Sequence, residues 1–169
     1  MTRSKKILIL GLGNTLLSDD GVGVHVVKRL QSRLLDRCDI VCVEGGTLGL
    51  SLLTQMAGTK GFIAIDAAQI NQPAGTVTTF ENEEMDAQLG GRKSTSHEVA
   101  LADLMDTALL TGTRPLRRAL VAIQPEITDW GEAPGKQIVN AMPIAEQQVF
   151  SLLERWGCLK GEGDELQAS

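Results

Sequence analysis

The amino-acid sequence predicts an α/β fold, a three-layer α/β/α sandwich around a mostly parallel sheet of about five strands. Three observations lead there: short apolar runs bounded by glycine or polar residues, amphipathic stretches of helical period between them, and no repeat or long linker dividing the chain. The 169 residues are expected to form one domain over 1–160, because two independent cores of half that size would each be marginal. The polar segment 161–169 reads as a disordered tail.

Residues 6–11 (KILILG) form an apolar run ending in glycine, the pattern of a strand covered on both faces. After a loop from Leu12 to Gly21, residues 22–35 place Val22, Val26, Val27, Leu30 and Leu34 on one face of a helix. Residues 39–44 (DIVCVE) read as a second strand halted by Gly45-Gly46, and 48–56 as a short helix carrying Leu50, Leu52 and Leu53. Residues 61–66 (GFIAID) form a third strand that ends on an aspartate. Residues 75–80 (GTVTTF), entered through Pro73-Ala-Gly, read as a strand near enough to the third to pair with it antiparallel. The stretch 81–94 reads as a polar, glycine-containing loop, 97–110 as a helix, 118–124 as a strand stopped by Pro125, and 141–156 as the last helix. In parallel sheets, sites gather beyond the carboxyl ends of the strands. The loop after the first strand and the ends of the second and third strands converge there.

Bulk composition narrows the function classes. Hydrophobic residues make up 43% and charged residues 22% of the chain, ordinary values for a globular protein. The net charge of −5, with Lys5-Lys6 and Arg117-Arg118 as the longest basic clusters, argues against a nucleic-acid surface. The N-terminal ILILGLG resembles a signal peptide only in its apolar start; glycines and Asn14 break it, and no small-residue cleavage site follows. No run approaches the ~18 apolar residues of a membrane span. Cys38, Cys42 and Cys158 lack CxxC spacing and read as buried free thiols of a reducing compartment, so the expected location is cytoplasmic.

Three positions carry candidate chemistry. The segment Gly11-Leu-Gly-Asn-Thr-Leu-Leu-Ser-Asp-Asp-Gly superficially suggests dinucleotide binding, with Glu44 as a mimic of the ribose-binding acid. The fingerprint fails at its third glycine, where Leu16 stands, and Asp19 and Asp20 would repel a pyrophosphate. Helix capping by Ser18 or Asp19 explains one acid and leaves Asp20 over. Asp66 lies where the third strand gives way to the rim, as a turn residue or a ligand. Thr95-Ser-His-Glu98 has capping-box spacing. His97 thereby falls in a first helical turn, whose dipole favours the neutral imidazole that a metal needs, although a lone surface histidine is the plainer reading. Gly90-Gly91 and the small polar run before it predict a mobile entry. His25, inside the first helix, reads as structural. Two carboxylates and an imidazole suit a borderline divalent cation and leave coordination positions open. There is no HExxH helix and no GxSxG elbow, and no cysteine has a convincing histidine partner.

The same residues carry a family resemblance. The stretch Gly11 to Gly23, then Glu44-Gly-Gly-Thr-Leu-Gly, Ile65-Asp-Ala and Ser96-His-Glu-Val-Ala-Leu-Ala-Asp resemble, in order and spacing, the hydrogenase maturation endopeptidases from residue 6 to about residue 145. That family's second motif often begins with Asp where this chain has Glu44, and some relatives carry Glu at the position of Asp20. The resemblance implies a twisted sheet sandwiched by helices. It also implies a peptidase that removes a C-terminal extension from a [NiFe]-hydrogenase large-subunit precursor once nickel is installed. Carried over by motif, the catalytic and metal-gripping residues are Asp20, Asp66 and His97, and the nickel is carried by the substrate, with another divalent cation able to substitute in isolation. Glu44, Gly45 and Gly46 are weaker candidates for the approach of substrate backbone, although plain turn chemistry explains the glycines equally well. A docking factor that senses nickel on the immature subunit and cleaves nothing is the alternative reading.

Overall fold

Six consecutive buried residues, Ile7–Leu12, make the first strand, β1, of a computed structural model that describes residues 6–45, 51–91 and 95–159. A single 3-10 turn, Ser18–Gly21, leads into helix α1 (Val22–Arg33), followed by β2 (Ile40–Gly45), α2 (Ser51–Met56) and β3 (Gly61–Ala67). The second half contains β4 (Val77–Glu81), α3 (Glu83–Gly90), α4 (Ser96–Leu110), β5 (Arg118–Ile123) and α5 (Lys136–Arg155). The expected residues Gly46, 48–50, 92–94 and the tail 161–169 lie outside the described residues.

The strands form one five-stranded sheet in the order β2-β1-β3-β5-β4. β1, β2, β3 and β5 run parallel, and β4 runs antiparallel. This is the predicted α/β architecture, with one pairing corrected. β4 pairs with β5 rather than with β3. β5 is buried along its whole length, whereas β4 is half-buried throughout, so the apolar strand takes the interior place and the polar one the edge.

Alternation along the strands sorts two cores. Ile7, Ile9, Ile63, Ile65, Val121 and Ile123 meet α1 and α5, where Val22, Val26, Leu30, Val149 and Leu153 are buried. Leu8, Leu10, Phe62, Ala64 and Leu120 meet the opposite layer, with Met56 of α2, Met85 of α3 and Leu101 and Met105 of α4. Each fully buried Leu, Ile or Phe contributes roughly 1.5–3 kcal/mol relative to leaving it in water, so these two clusters set the layering. The outer helices are also tied together: Glu146 of α5, 2% exposed, accepts from Arg29 and Arg33 of α1.

Two helices differ from expectation. Helix α3 occupies part of the stretch 81–94 that reads as a loop. Its polarity hides a two-residue apolar stripe, Met85 and Leu89, one turn apart and both buried. Three acids, Glu83, Glu84 and Asp86, stand in its first turn, where the helix dipole favours them. Helix α5 begins at Lys136 rather than near 141. Pro143 looks like a helix start, yet it lies inside α5, because Ile138 and Ala141 are already packed on the core.

The glycines in and flanking the first loop, Gly13, Gly11 in β1 and Gly23 in α1, have a packing explanation. A Cβ on Gly11 would overlap the Gly23 carbonyl and the Val27 side chain, and one on Gly23 would overlap the carbonyls of Ile65 and Leu12. Gly13 has φ +124°, and a Cβ there would overlap the Asp20 carbonyl. Helix α1 therefore sits against the sheet at backbone contact distance, holding the 3-10 turn over the carboxyl ends of β1 and β3.

Candidate active site

Strand β3 carries Asp66 to the end of the sheet on the α4 face, in alternation with Phe62 and Ala64. The carboxyl is 1% exposed, and its Oδ1 has no hydrogen-bond partner. The carboxyl does accept from the Ala67 backbone N–H, as a turn aspartate would, but it is enclosed rather than exposed to water. Beside it lies a small cavity of about 10 Å³ lined by Gln88, Leu89, Glu98, Leu101 and Leu120. Burial pushes the Asp66 carboxyl well above the usual carboxylate range; the His97 charge opposes that, and Asp20 and Glu98 add to it.

Asp20 comes from the 3-10 turn and is 4% exposed. Its Oδ2 accepts from the Asn14 backbone N–H at 2.9 Å and lies 3.4 Å from His97 Nε2. Burial favours the protonated acid, but the His97 hydrogen bond, the Asn14 amide and the imidazole charge outweigh it, leaving the Asp20 pKa below its ordinary value.

His97 stands in the first turn of α4, which Thr95 and Glu98 cap as the spacing predicts. Thr95 Oγ1 accepts from Glu98 N at 3.2 Å, and Glu98 Oε2 accepts from Thr95 N at 3.1 Å. The imidazole side chain is 19% exposed, so it is not a free surface histidine. The pull toward a neutral ring is opposed: the Asp20 hydrogen bond raises the His97 pKa, burial works against the rise, and the charges of Asp20 and Asp66 add to it. A nearby carboxylate outweighs the helix dipole here.

The structure thus brings Asp20 and His97 into contact and puts Asp66 within electrostatic reach of both. Among the described residues, no three His, Cys, Asp or Glu side chains already stand as a closed metal-binding group. An open cleft of about 360 Å³ reaches His97 and is lined by Gly13, Asn14, Thr15, Val24, Lys28 and Glu44. Glu44 opens into it, 3.5 Å from Lys28 Nζ. Gly45 is the buried last residue of β2 rather than a turn; a Cβ on it would press on Leu10 Cδ1 at 2.9 Å and Leu12 Cδ2 at 3.0 Å. Gly46 lies outside the described residues. His25 is half-buried on α1, with an unpartnered Nε2 and a pKa lowered by burial and then by Lys28, and it does not line the cleft.

Sequence reasoning misassigned Asp19 and Ser18. Neither side chain caps the 3-10 turn or α1. Asp19 is 1% exposed and reaches a distant loop, accepting from Glu126 N, Ile127 N and Gly135 N at 2.9, 2.8 and 2.7 Å. Adjacent acids of similar appearance in sequence point to different tasks because the 3-10 turn separates their directions. Asn14 was also passed over as a support; its backbone orients Asp20, and its Oδ1 accepts from Leu16 N at 3.0 Å.

A sequence model of the family described as hydrogenase maturation protease matches residues 24–151. The hydrogenase 2 maturation protease of Escherichia coli (strain K12) is 37% identical over 155 residues, covering 88% of this chain and 92% of the relative. The hydrogenase expression/formation protein HoxM of Cupriavidus necator is 31% identical over 152 residues, covering 89% of this chain and 75% of the relative. Among solved structures, the hydrogenase maturating endopeptidase HybD of E. coli superposes with a TM-score of 0.81 at 29% identity, over 90% of this chain and 94% of that one.

Proposed function

The chain belongs to the hydrogenase maturation protease family, and from that premise we propose that it cleaves the C-terminal extension from a [NiFe]-hydrogenase large-subunit precursor after nickel insertion. In this reading Asp20, Asp66 and His97 recognise the nickel that the substrate carries. The observation that carries it is the approach of Asp20 Oδ2 to His97 Nε2 at 3.4 Å beside a buried Asp66 whose Oδ1 has no partner. Two carboxylates and an imidazole are a donor set that accepts nickel, and also zinc or copper, so another divalent cation can stand in when the protein is alone.

Each side chain has a part. Asp20, held by the Asn14 amide, and His97, held by the Thr95–Glu98 capping box, are preorganised to exchange their shared proton for a cation. Asp66 is disposed to remain protonated by burial, and an approaching dication favours its ionised form. The substrate's nickel thereby acts as a template that sets the scissile peptide beside the carboxyls. In the hydrolysis, water adds to the peptide carbonyl, the C–N bond breaks, and the departing amine takes a proton. Glu44, at the open side of the cleft, and Gly45, at the end of β2, lie along the approach of the substrate backbone.

The reading is of a cytoplasmic reaction. Cys38, Cys42 and Cys158 are free thiols, as suits a reducing compartment, although only Cys158 is buried as expected; Cys42 is half-buried and Cys38, in the turn after α1, is exposed. No helix among the described residues is long and apolar enough to cross a membrane.

The test mixes purified protein with nickel-loaded precursor and follows the mass of the large subunit. Loss of a C-terminal peptide with the wild type, and its retention with His97→Ala, is the expected result. A stable complex of two full-length chains would instead make the protein a nickel-sensing docking factor.

A further inference from the structure

Beside the 3-10 turn that carries Asp20, the segment 125–135 is held against the chain by a dense set of bonds. Asp19 binds it through three backbone N–H groups, as described, and Asp19 N donates to Ile127 O at 3.0 Å. Ser18 N donates to Gly131 O at 2.8 Å, Gly131 N donates to Leu16 O at 3.0 Å, and Ser18 Oγ donates to Asp129 O at 3.0 Å. Leu17 and Gly131 form a parallel bridge, so Leu16 and Trp130 each directly precede a bridged residue. This fixed scaffold carries three exposed apolar side chains: Trp130 is 82% exposed, Leu16 51% and Ile127 50%. A large aromatic left in water on a mobile loop would be unremarkable; one displayed on a loop stapled by a buried carboxylate is preorganised to be covered.

We propose that Leu16, Ile127 and Trp130 form the docking surface for the protein substrate, the large-subunit precursor, on the rim of the candidate active site. The inference rests on the processing reading, and it names where the client is gripped away from its metal. Continuity argues for this occupant. Leu16 and Leu17 belong to the loop that carries Asp20, Leu17 O accepts from Asp20 N at 3.0 Å, and Leu16 directly follows Asn14 and Thr15, which line the cleft that reaches His97. Charge specifies the partner further. Glu126, Asp129 and Glu132 are exposed around the patch, against Lys136 as the one base in 126–136. An apolar centre with an acidic rim fits a client surface with an apolar centre and a Lys/Arg rim. A tryptophan at the centre of such a surface is the residue type most often found to dominate binding.

The experiment uses the full chain and purified nickel-loaded precursor. The protein has two tryptophans, and Trp156 is buried, so 5-fluorotryptophan labelling gives two fluorine resonances with an unlabelled partner silent. On adding precursor to the labelled protein, the Trp130 resonance should shift and lose its solvent isotope effect while that of Trp156 stays. In processing assays Trp130→Ala should raise KM by about tenfold or more with kcat within about twofold, and Trp130→Phe should recover part of the loss. A Trp130 resonance unmoved by bound precursor, or an unchanged KM in Trp130→Ala, overturns the proposal. So does a Trp130 resonance that moves with the concentration of the protein alone, which would make the patch a contact between copies. If the wild type binds precursor through Trp130 and cleaves nothing, the processing reading fails and the docking surface stands.

Discussion

Asp20 Oδ2 lies 3.4 Å from His97 Nε2, joining the loop after β1 to the first turn of α4 across the mouth of the cleft. The pair is strongest with the imidazole protonated and the carboxyl ionised. His97 has its folded pKa above 6.5, so its stabilising share is complete below the unfolded value and disappears as pH rises through the folded one. Asp20 is shifted below 3.8, so its share is present above that value and is lost as pH falls through the folded one. The chain has two histidines, and His25 is shifted the other way. Imidazole NMR should therefore show two separated titrations, His97 above 6.5 and His25 below. In Asp20→Asn the His97 titration should move down; a His97 midpoint indifferent to that change would remove the pair from the argument.

Asp66→Asn separates function from stability. The wild-type carboxyl has a folded pKa raised by burial, so the fold loses stability as pH climbs from the unfolded value of about 4 through the folded one. An amide of the same shape carries no such penalty. The variant should melt no lower than wild type at pH 8 while processing of nickel-loaded precursor is abolished. Differential scanning calorimetry and the mass assay measure the two halves. A variant that processes at the wild-type rate would take Asp66 out of the site.

How legible was this in the sequence? Burial on both faces leaves a continuous apolar signature that announced β1, β3 and β5, the one-sided apolar stripe announced α1, and the short apolar run 39–44 announced β2 although it stands half-buried at the sheet edge. β4 was found but mispaired, since the edge or interior place of a strand depends on which neighbour is more apolar, a comparison between distant segments. Helix α3 was hidden because two buried residues, Met85 and Leu89, leave too faint a stripe among acids. At the site, Asp20, Asp66 and His97 stand at a helix start or a strand end, but each also has a plain local explanation, and it is the family resemblance that gathers them into one set. Their burial could not be read, and neither could the upward shift of the His97 pKa, which depends on a carboxylate far away in sequence. Asp19 was misread for the same reason: its three partners lie in residues 126–135, and local capping rules see only neighbours.

Asp19→Ala should be the most damaging single change to a polar residue outside the proposed ligands. It strips the acceptor from three backbone N–H groups of the segment 126–135. A hydrogen bond to a charged group contributes about 1.5–3 kcal/mol, and water can reach part of this loop, so the total loss should be about 3 kcal/mol. Urea denaturation should show a lower midpoint with an unchanged slope. Asp19→Asn, which keeps one acceptor oxygen, should lose roughly half as much. A loss under about 0.5 kcal/mol for the alanine variant would mean that the loop is held by its other contacts.

Gly23→Ala tests why the first loop is rich in glycine. A methyl group there meets the carbonyl oxygens of Ile65 and Leu12, and backbone cannot swing aside as a side chain can. Helix α1 would have to lift from β1 and β3, a shift that costs about 3 kcal/mol or more in a packed core. Gly90→Ala is the control: its Cβ meets nothing within 4 Å, and α3 gains a better helix former, so stability should hold or rise by up to about 1 kcal/mol. Thermal unfolding of the two variants therefore should move in opposite directions. If Gly23→Ala melts with the wild type, close helix–sheet contact is not what requires glycine at that position, and a ligand at the turn becomes the better explanation.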